Sequence, residues 1–168
     1  MISLDLATRD ERGALENLLQ LYAYDWSEIR PLDVGDDGRF DDYPLDAYWL
    51  EAWRHPFLLR VDGQLAGFAL VSERSRLTGA AGVTDMAELF VMRRYRRKGV
   101  GRAAAFAAFD RFKGAWEIRQ RTENAEATAF WRRAIDRYTN GNYTEHVLND
   151  ATSTWIGPVQ RFSSAGRP

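Results

Sequence analysis

The chain has 168 residues, enough for one domain with its own core, and its 45% hydrophobic content is that of a globular protein rather than a disordered one. A formal net charge of −1 argues against a surface built to coat nucleic acid, and the lack of cysteine excludes disulfides, thiolate metal sites and a cysteine nucleophile. His55 and His146 have no metal-ligand spacing, and no apolar run suits a signal peptide or a membrane span, so a soluble cytoplasmic protein without a resident metal is expected.

In chain order, "ISLDLA" alternates apolar and polar residues, as a half-buried strand does. Thr8 and Glu11 form a capping box, and Leu15, Leu18, Leu19 and Tyr22 follow at helical spacing. Residues 31–44, "PLDVGDDGRFDDYP", read as an acidic loop, and residues 45–53, "LDAYWLEAW", as a short second helix. Two strands flank Asp62-Gly63, a strong hairpin signal. After the turn-rich "RLTGAAG" comes the strand "TDMAELFVM", then the helix "GRAAAFAAFDRF", which stops at Gly114. The strand "AWEIRQR" precedes a helix over 125–138 that Asn124 can cap and that ends near Asn140-Gly141. "YTEHVL" and "STWIGPVQRF" read as closing strands.

The order β-α-α-β-β-β-α-β-α-β-β predicts a single α/β domain over residues 1–163, α+β by element order, with a frayed tail at 164–168. Its one strand-helix-strand crossover makes the strands around Ala87 and Ile118 parallel neighbours within a mixed sheet.

Arg96-Arg97-Lys98-Gly99-Val100-Gly101 lies between the strand ending near Met92 and the helix beginning near Gly101. Glycines leave backbone N–H groups uncovered, a helix N-terminus adds unpaired N–H groups with partial positive charge, and flanking arginines strengthen the resulting anion site. "GVGRAA" also fits a dinucleotide fingerprint, but there the first glycine follows the strand at once, whereas here a basic stretch intervenes. A solvated surface turn is the plain alternative.

"ELFVMRRYRRKGVGR" resembles the R/Q-x-x-G-x-G/A motif of the GNAT superfamily, the GCN5-related N-acetyltransferases, with Arg96, Gly99 and Gly101 in its defining positions. "ENAEATAFWRRA" is similar to the family's following motif, and the element order matches from about Leu4 to Phe162. The resemblance implies a sheet of about seven strands, with its two parallel middle strands splayed apart, and about four helices. It also implies acetyl-coenzyme A as cofactor. The backbone of Gly99, Val100 and Gly101 would hold the pyrophosphate, with Arg96, Arg97, Lys98 and Arg102 offsetting its charge. The edge of Phe90, Val91 and Met92 would bond the pantetheine arm like an added strand. Asn124 would bond the pantetheine or serve only as a helix cap.

Acetyl transfer needs a neutral amine, and a free alkylamine has a pKa of about 10.4, so a proton acceptor is required. Glu88, inside an apolar strand, is the first candidate, and Asp85 the second. The alternative for Glu88 is an ion pair with an arginine such as Arg119. Where the family often carries a tyrosine that protonates the departing thiolate, this chain has Trp131, whose indole cannot do so. Tyr138 lies two turns on, and Tyr143 beyond it. The segment between the first two helices carries Asp33, Asp36, Asp37, Asp41, Asp42 and Asp46 among Phe40, Tyr43, Tyr48, Trp49 and Trp53. It suits a cationic amine through charge and cation–π contact, with a solvated loop as the alternative. The expected activity is N-acetylation of a small cationic amine such as a polyamine or aminoglycoside, ahead of a protein or peptide amine. A non-catalytic acyl-CoA-binding module is the alternative of another class. Neither nucleic acid nor membrane is an expected partner, and a homodimer is compatible with the sequence.

Overall fold

The computed structural model describes residues 1–149 and 155–166. Its strands are β1 (Ile2–Leu6), β2 (Arg54–Val61), β3 (Gln64–Arg74), β4 (Ala81–Val91), β5 (Ala115–Arg119), β6 (Thr144–Leu148) and β7 (Gly157–Ser163). Its α-helices are α1 (Arg12–Trp26), α2 (Ala47–Leu50), α3 (Val100–Arg111) and α4 (Ala125–Thr139). The expected element order holds. The second helix is shorter than its sequence span, because Glu51 leaves it in extended conformation (φ −106°, ψ 115°). The start of the expected last strand, Ser153 and Thr154, lies outside the described residues, as do Arg167 and Pro168 of the expected frayed tail.

The turn and cap residues act as their chemistry requires. Asp62 (φ 50°) and Gly63 (φ 78°) make the tight β2–β3 turn. Thr8 N–H donates to the Glu11 carboxylate at 3.0 Å ahead of α1.

Seven strands form one sheet in the order β1-β2-β3-β4-β5-β7-β6, antiparallel throughout except for the parallel pair β4–β5. Both faces are covered. Phe57, Val71, Met86, Trp116 and Ile118 pack with Phe109 of α3 and with Trp131 and Ile135 of α4. Leu58, Phe68, Leu70 and Phe90 pack with Leu15, Leu18 and Leu19 of α1 and with Tyr48 of α2. Consecutive residues of β2 therefore serve opposite cores, which explains their unbroken apolar run. Among the described residues, no helix is long and apolar enough to cross a membrane, and no cluster of three or more acidic or histidine side chains could hold a metal.

The parallel pair is short. Its register runs Val83↔Ala115, Thr84↔Trp116, Asp85↔Glu117 and stops there. β3 accompanies β4 on to Gly67↔Val91, while β7 accompanies β5 on to Arg119↔Val159. The two middle strands thus part after Asp85 and Glu117, as the resemblance implied. Buried ion pairs stand where they part. The Arg119 guanidinium grips Asp85 through Nε at 2.8 Å and Nη2 at 3.1 Å, with both side chains almost fully buried. Glu117, also buried, accepts from Arg161 Nε at 3.0 Å and Ser75 Oγ at 2.7 Å.

A second irregularity lies on the other side of β4. The register changes from Leu70↔Glu88 to Val71↔Met86, leaving Ala87 as an extra residue. Such a bulge rotates the following side chain. Met86 and Leu89 face the α3/α4 core, whereas Ala87, Glu88 and Phe90 face α1 and α2.

Three outcomes are expected in urea denaturation. A Cβ on Gly67 would lie 2.0 Å from the Phe90 carbonyl oxygen, so Gly67→Ala destabilises by about 1–3 kcal/mol, the usual cost of overpacking. Gly13 in α1 has open space around it, so Gly13→Ala stabilises by about 0.5–1 kcal/mol. Arg119→Met strands a buried carboxylate and costs about 3–5 kcal/mol at pH 7. Burial already pushes the Asp85 carboxyl upward, and losing the arginine removes the main opposing effect. The destabilisation therefore shrinks as the pH falls and Asp85 becomes neutral.

Candidate active site

The parting of β4 from β5 exposes backbone groups with a defined direction. Met92 N–H bonds the Ala66 carbonyl at 2.8 Å, so Phe90, two residues earlier, also bonds toward β3. By alternation, the N–H and C=O groups of Leu89 and Val91 point toward the gap. Among the residues expected to offer an edge, Val91 points toward the gap with its carbonyl taken by Arg96, while Met92 is tied to β3 and the Phe90 ring packs against Tyr22 and Phe68. Leu89 was not expected, because hydrogen-bond parity depends on the β3 register.

The gap opens into a cleft of about 920 Å³ between α1 and α4, lined among others by Tyr22, Val91, Gly101, Asn124, Phe130 and Trp131. The basic loop closes one end. Arg97 (φ 61°) and Gly99 (φ 78°) adopt left-handed conformations that turn the chain into α3. The first bond of α3 runs from Ala103 N–H to the Gly99 carbonyl at 3.0 Å, so the N–H groups of Val100, Gly101 and Arg102 lie ahead of the helical ladder. The Val100 side chain is buried beside Leu59, Ala66 and Ala104, so only its backbone can address a ligand. Gly101 is helical, and a Cβ there would touch Phe130 at 3.4 Å and Val91 at 3.5 Å. Its missing side chain therefore serves space in the cleft rather than backbone strain.

The loop cations divide into two groups. Arg96 donates from Nε to the Val91 carbonyl at 2.6 Å and pairs with Asp25 at the end of α1. Arg93 also pairs with Asp25, at 2.8 Å. Arg97, Lys98 and Arg102 are exposed. An uncovered edge, a glycine-lined turn with free-pointing N–H groups and three exposed cations fit an elongated anionic ligand with amide groups along its length.

At the start of α4, Asn124 accepts from Ala127 N–H at 3.0 Å, the capping role, while also lining the cleft. Trp131 is 7% exposed and packs edge-on to Phe130. The Tyr138 hydroxyl donates to Asp110 of α3 at 2.8 Å, and Tyr143 packs on the α3/α4 core.

Glu88 sits among phenols. Tyr22 O–H donates to its Oε2 at 2.6 Å, Tyr43 O–H donates to its Oε1 at 3.3 Å, and Arg76 Nη1 lies 3.9 Å from Oε1. Burial pushes the Glu88 carboxyl above the ordinary glutamate range, against the pull of the Tyr22 hydrogen bond and the Arg76 charge. Arg119, the expected partner in the alternative for Glu88, is bound instead to Asp85. Tyr22 and Arg76 were not singled out as partners of Glu88, since they stand on other elements and no local spacing links them.

The acidic segment is partly neutralised from within. Asp46 pairs with Arg12, Asp42 with Arg39 at 3.4 Å, and Asp37 accepts from Arg39 N–H at 3.0 Å. Asp33, Asp36 and Asp41 are exposed. The Trp53 ring carries Arg54 at 4.4 Å and Arg74 at 4.9 Å, and Trp49 Nε1 donates to the Ala7 carbonyl at 3.4 Å.

Solved structures share this architecture. PaiA N-acetyltransferase from Thermoplasma acidophilum, in complex with coenzyme A, superposes with a TM-score of 0.66 at 9% identity over 97% of this chain and 99% of that one. A spermidine N-acetyltransferase chimera from Vibrio cholerae gives 0.59 at 12% identity over 95% and 92%. The ribosomal-protein-S18-alanine N-acetyltransferase of Escherichia coli gives 0.56 at 14% identity over 100% and 97%. No curated protein sequence matches the chain. The pattern of the acetyltransferase (GNAT) family, however, matches residues 15–135, which hold the cleft, the basic loop and Glu88, and the chain belongs to that family.

Proposed function

We propose that this chain moves the acetyl group of acetyl-coenzyme A to a primary amine, with Glu88 as the proton acceptor. The observation that carries this reading is the edge of β4 that β5 leaves without a strand partner beyond Asp85, running into the glycine turn at the head of α3. Val91 and Leu89 would bond the pantetheine amides, and the N–H groups of Val100, Gly101 and Arg102, with the exposed cations Arg97 and Lys98, would hold the pyrophosphate. When bound, the cofactor supplies an acetyl thioester. A solved structure of this fold with coenzyme A supports the assignment. A cytoplasmic setting is part of the same reading.

Glu88 rather than Asp85 takes the base role, because Asp85 is locked in its fork with Arg119 while Glu88 keeps its carboxylate beside the cleft-lining Tyr22. With Trp131 where a tyrosine could stand, the thiol leaves unaided, which its pKa of about 8.5 allows. The missing tyrosine is what favours a binding module without turnover, and the phenol-ringed Glu88 favours the enzyme.

The acceptor in this reading is a small amine with more than one positive charge. Solved neighbours acetylate spermidine in one case and a ribosomal protein in another, so the acceptor reading rests on the exposed Asp36 and Asp41. Arg76 beside Glu88 would repel a second charge at the reacting end, which supports a reading in which the further charges of the acceptor lie at the acidic segment.

Thiol release from acetyl-CoA against a panel of amines tests the activity. Glu88→Gln lowers turnover by about 10- to 1000-fold. In the wild type the rate falls as the pH drops through a Glu88 pKa above the ordinary value of about 4.3, and this acid limb disappears in the variant. Asp36→Asn with Asp41→Asn raises the acceptor KM and flattens its salt dependence without altering coenzyme A affinity. Wild-type kinetics in Glu88→Gln would place the base elsewhere, and turnover of neutral amines alone would remove the polycation.

A further inference from the structure

The hydroxyl of Tyr22 stands between the cleft and Glu88. Tyr22 lines the cleft and Glu88 does not. The 2.6 Å bond from Tyr22 to Oε2 is the shortest contact this carboxylate makes among the described residues. The ring is held by edge contacts to Phe68 at 5.6 Å and Trp26 at 6.1 Å, and by a tilted contact to Phe90 at 5.7 Å. The other oxygen, Oε1, is screened by Tyr43, whose own hydroxyl accepts from Arg76 Nη1 at 3.3 Å. An ammonium approaching Oε1 meets that guanidinium, whereas one approaching from the cleft meets the lone pairs of Tyr22 Oη.

From this we infer that Tyr22 is a catalytic residue that relays the proton of the acceptor to Glu88. The inference rests on the acetyl-transfer reading. A proton leaves the ammonium nitrogen for Tyr22 Oη while the phenolic proton of Tyr22 passes to Glu88 Oε2. Tyr22 ends the step neutral and Glu88 ends it protonated. The freed nitrogen lone pair forms the N–C bond to the acetyl carbon as the C–S bond breaks with its electrons on sulfur. The second surplus proton of the nitrogen leaves with the thiol, and Glu88 returns its proton to water. No free phenolate forms, which suits a hydroxyl whose pKa burial and the neighbouring Glu88 hold far above the ordinary tyrosine value. The charged and titratable groups around Glu88 are Tyr22 from α1, Tyr43 from the acidic segment, Tyr48 from α2 and Arg76 from the β3–β4 turn, with Arg119 of β5 acting at longer range.

Tyr22→Phe keeps the ring and removes the relay. The expected result is a fall of about 10- to 100-fold in kcat/KM for the amine, with coenzyme A affinity unchanged. In mixed light and heavy water, the wild-type rate follows a curved dependence on deuterium fraction, because two protons move together. Tyr22→Phe follows a straight one. The double variant Tyr22→Phe/Glu88→Gln is no slower than Glu88→Gln alone, as members of one path require. A readout without turnover accompanies these. The carbon-13 signal of the Glu88 carboxyl titrates at higher pH in Tyr22→Phe, because the hydrogen bond that lowered its pKa is gone. A slower Tyr22→Phe enzyme whose isotope dependence stays curved assigns Tyr22 a packing role and overturns the relay, as does an unchanged rate. Absence of thiol release from the wild type with every amine overturns the acetyl-transfer reading, and the relay with it.

Discussion

Every functional feature of this chain depends on the place where β4 and β5 stop pairing. Three parallel register pairs join them, and the last, Asp85↔Glu117, puts two buried carboxylates side by side in the sheet. Two adjacent anions in a core are untenable unless each has its own cation. Arg119 reaches back across the gap to Asp85, and Arg161 reaches from β7 to Glu117. The fork from Arg119 therefore spans the point of separation and fixes it. On the opposite face, Trp116 and Ile118 stay packed against Phe109 and Ile135, so the sheet parts without losing its core. β7 follows β5 so closely that a Cβ on Gly157 would lie 2.1 Å from the Gln120 carbonyl.

From that separation come both a cleft and a polarity. At one end, Asp25 absorbs Arg93 and Arg96, and Arg96 in turn holds the end of β4 through the Val91 carbonyl. Arg97, Lys98 and Arg102 stay exposed beside the helix N-terminus that also favours anions, and Arg94 is exposed just before them. On the α1/α2 face, the bulge at Ala87 carries Glu88 out of the α3/α4 core and into a group of hydroxyls. Without the extra residue, strict alternation would send Glu88 to the apolar face of Phe109 and Trp131.

Much of this was legible in the sequence where a feature is local. The Asp62-Gly63 turn, the Asn124 cap and the left-handed Gly99 all follow from what single residues permit. Element order followed from periodicity, and the parallel pairing of β4 with β5 from the lone crossover. The site itself was less legible because its contacts are long-range. Tyr22 and Glu88 are 66 positions apart, and Asp85 and Arg119 are 34 apart. The bulge has no residue signature, since "MAELFV" reads as an even strand. Charge counting in the acidic segment overlooked Arg12 and Arg39, which occupy several of its carboxylates. The role of Gly101 in leaving room beside Phe130 and Val91 was not legible, because those neighbours lie on other elements.

The central claim is that the open edge of β4 and the turn after it form one continuous site for coenzyme A. Titrating coenzyme A into nitrogen-15-labelled protein and following each backbone amide tests it most directly. The account predicts that Leu89 and Val91, facing the gap, shift together with Val100, Gly101 and Arg102, while Met92, bonded to Ala66, moves far less. Shifts confined to the loop with none at Leu89 and Val91, or no saturable shifts at all, would contradict it.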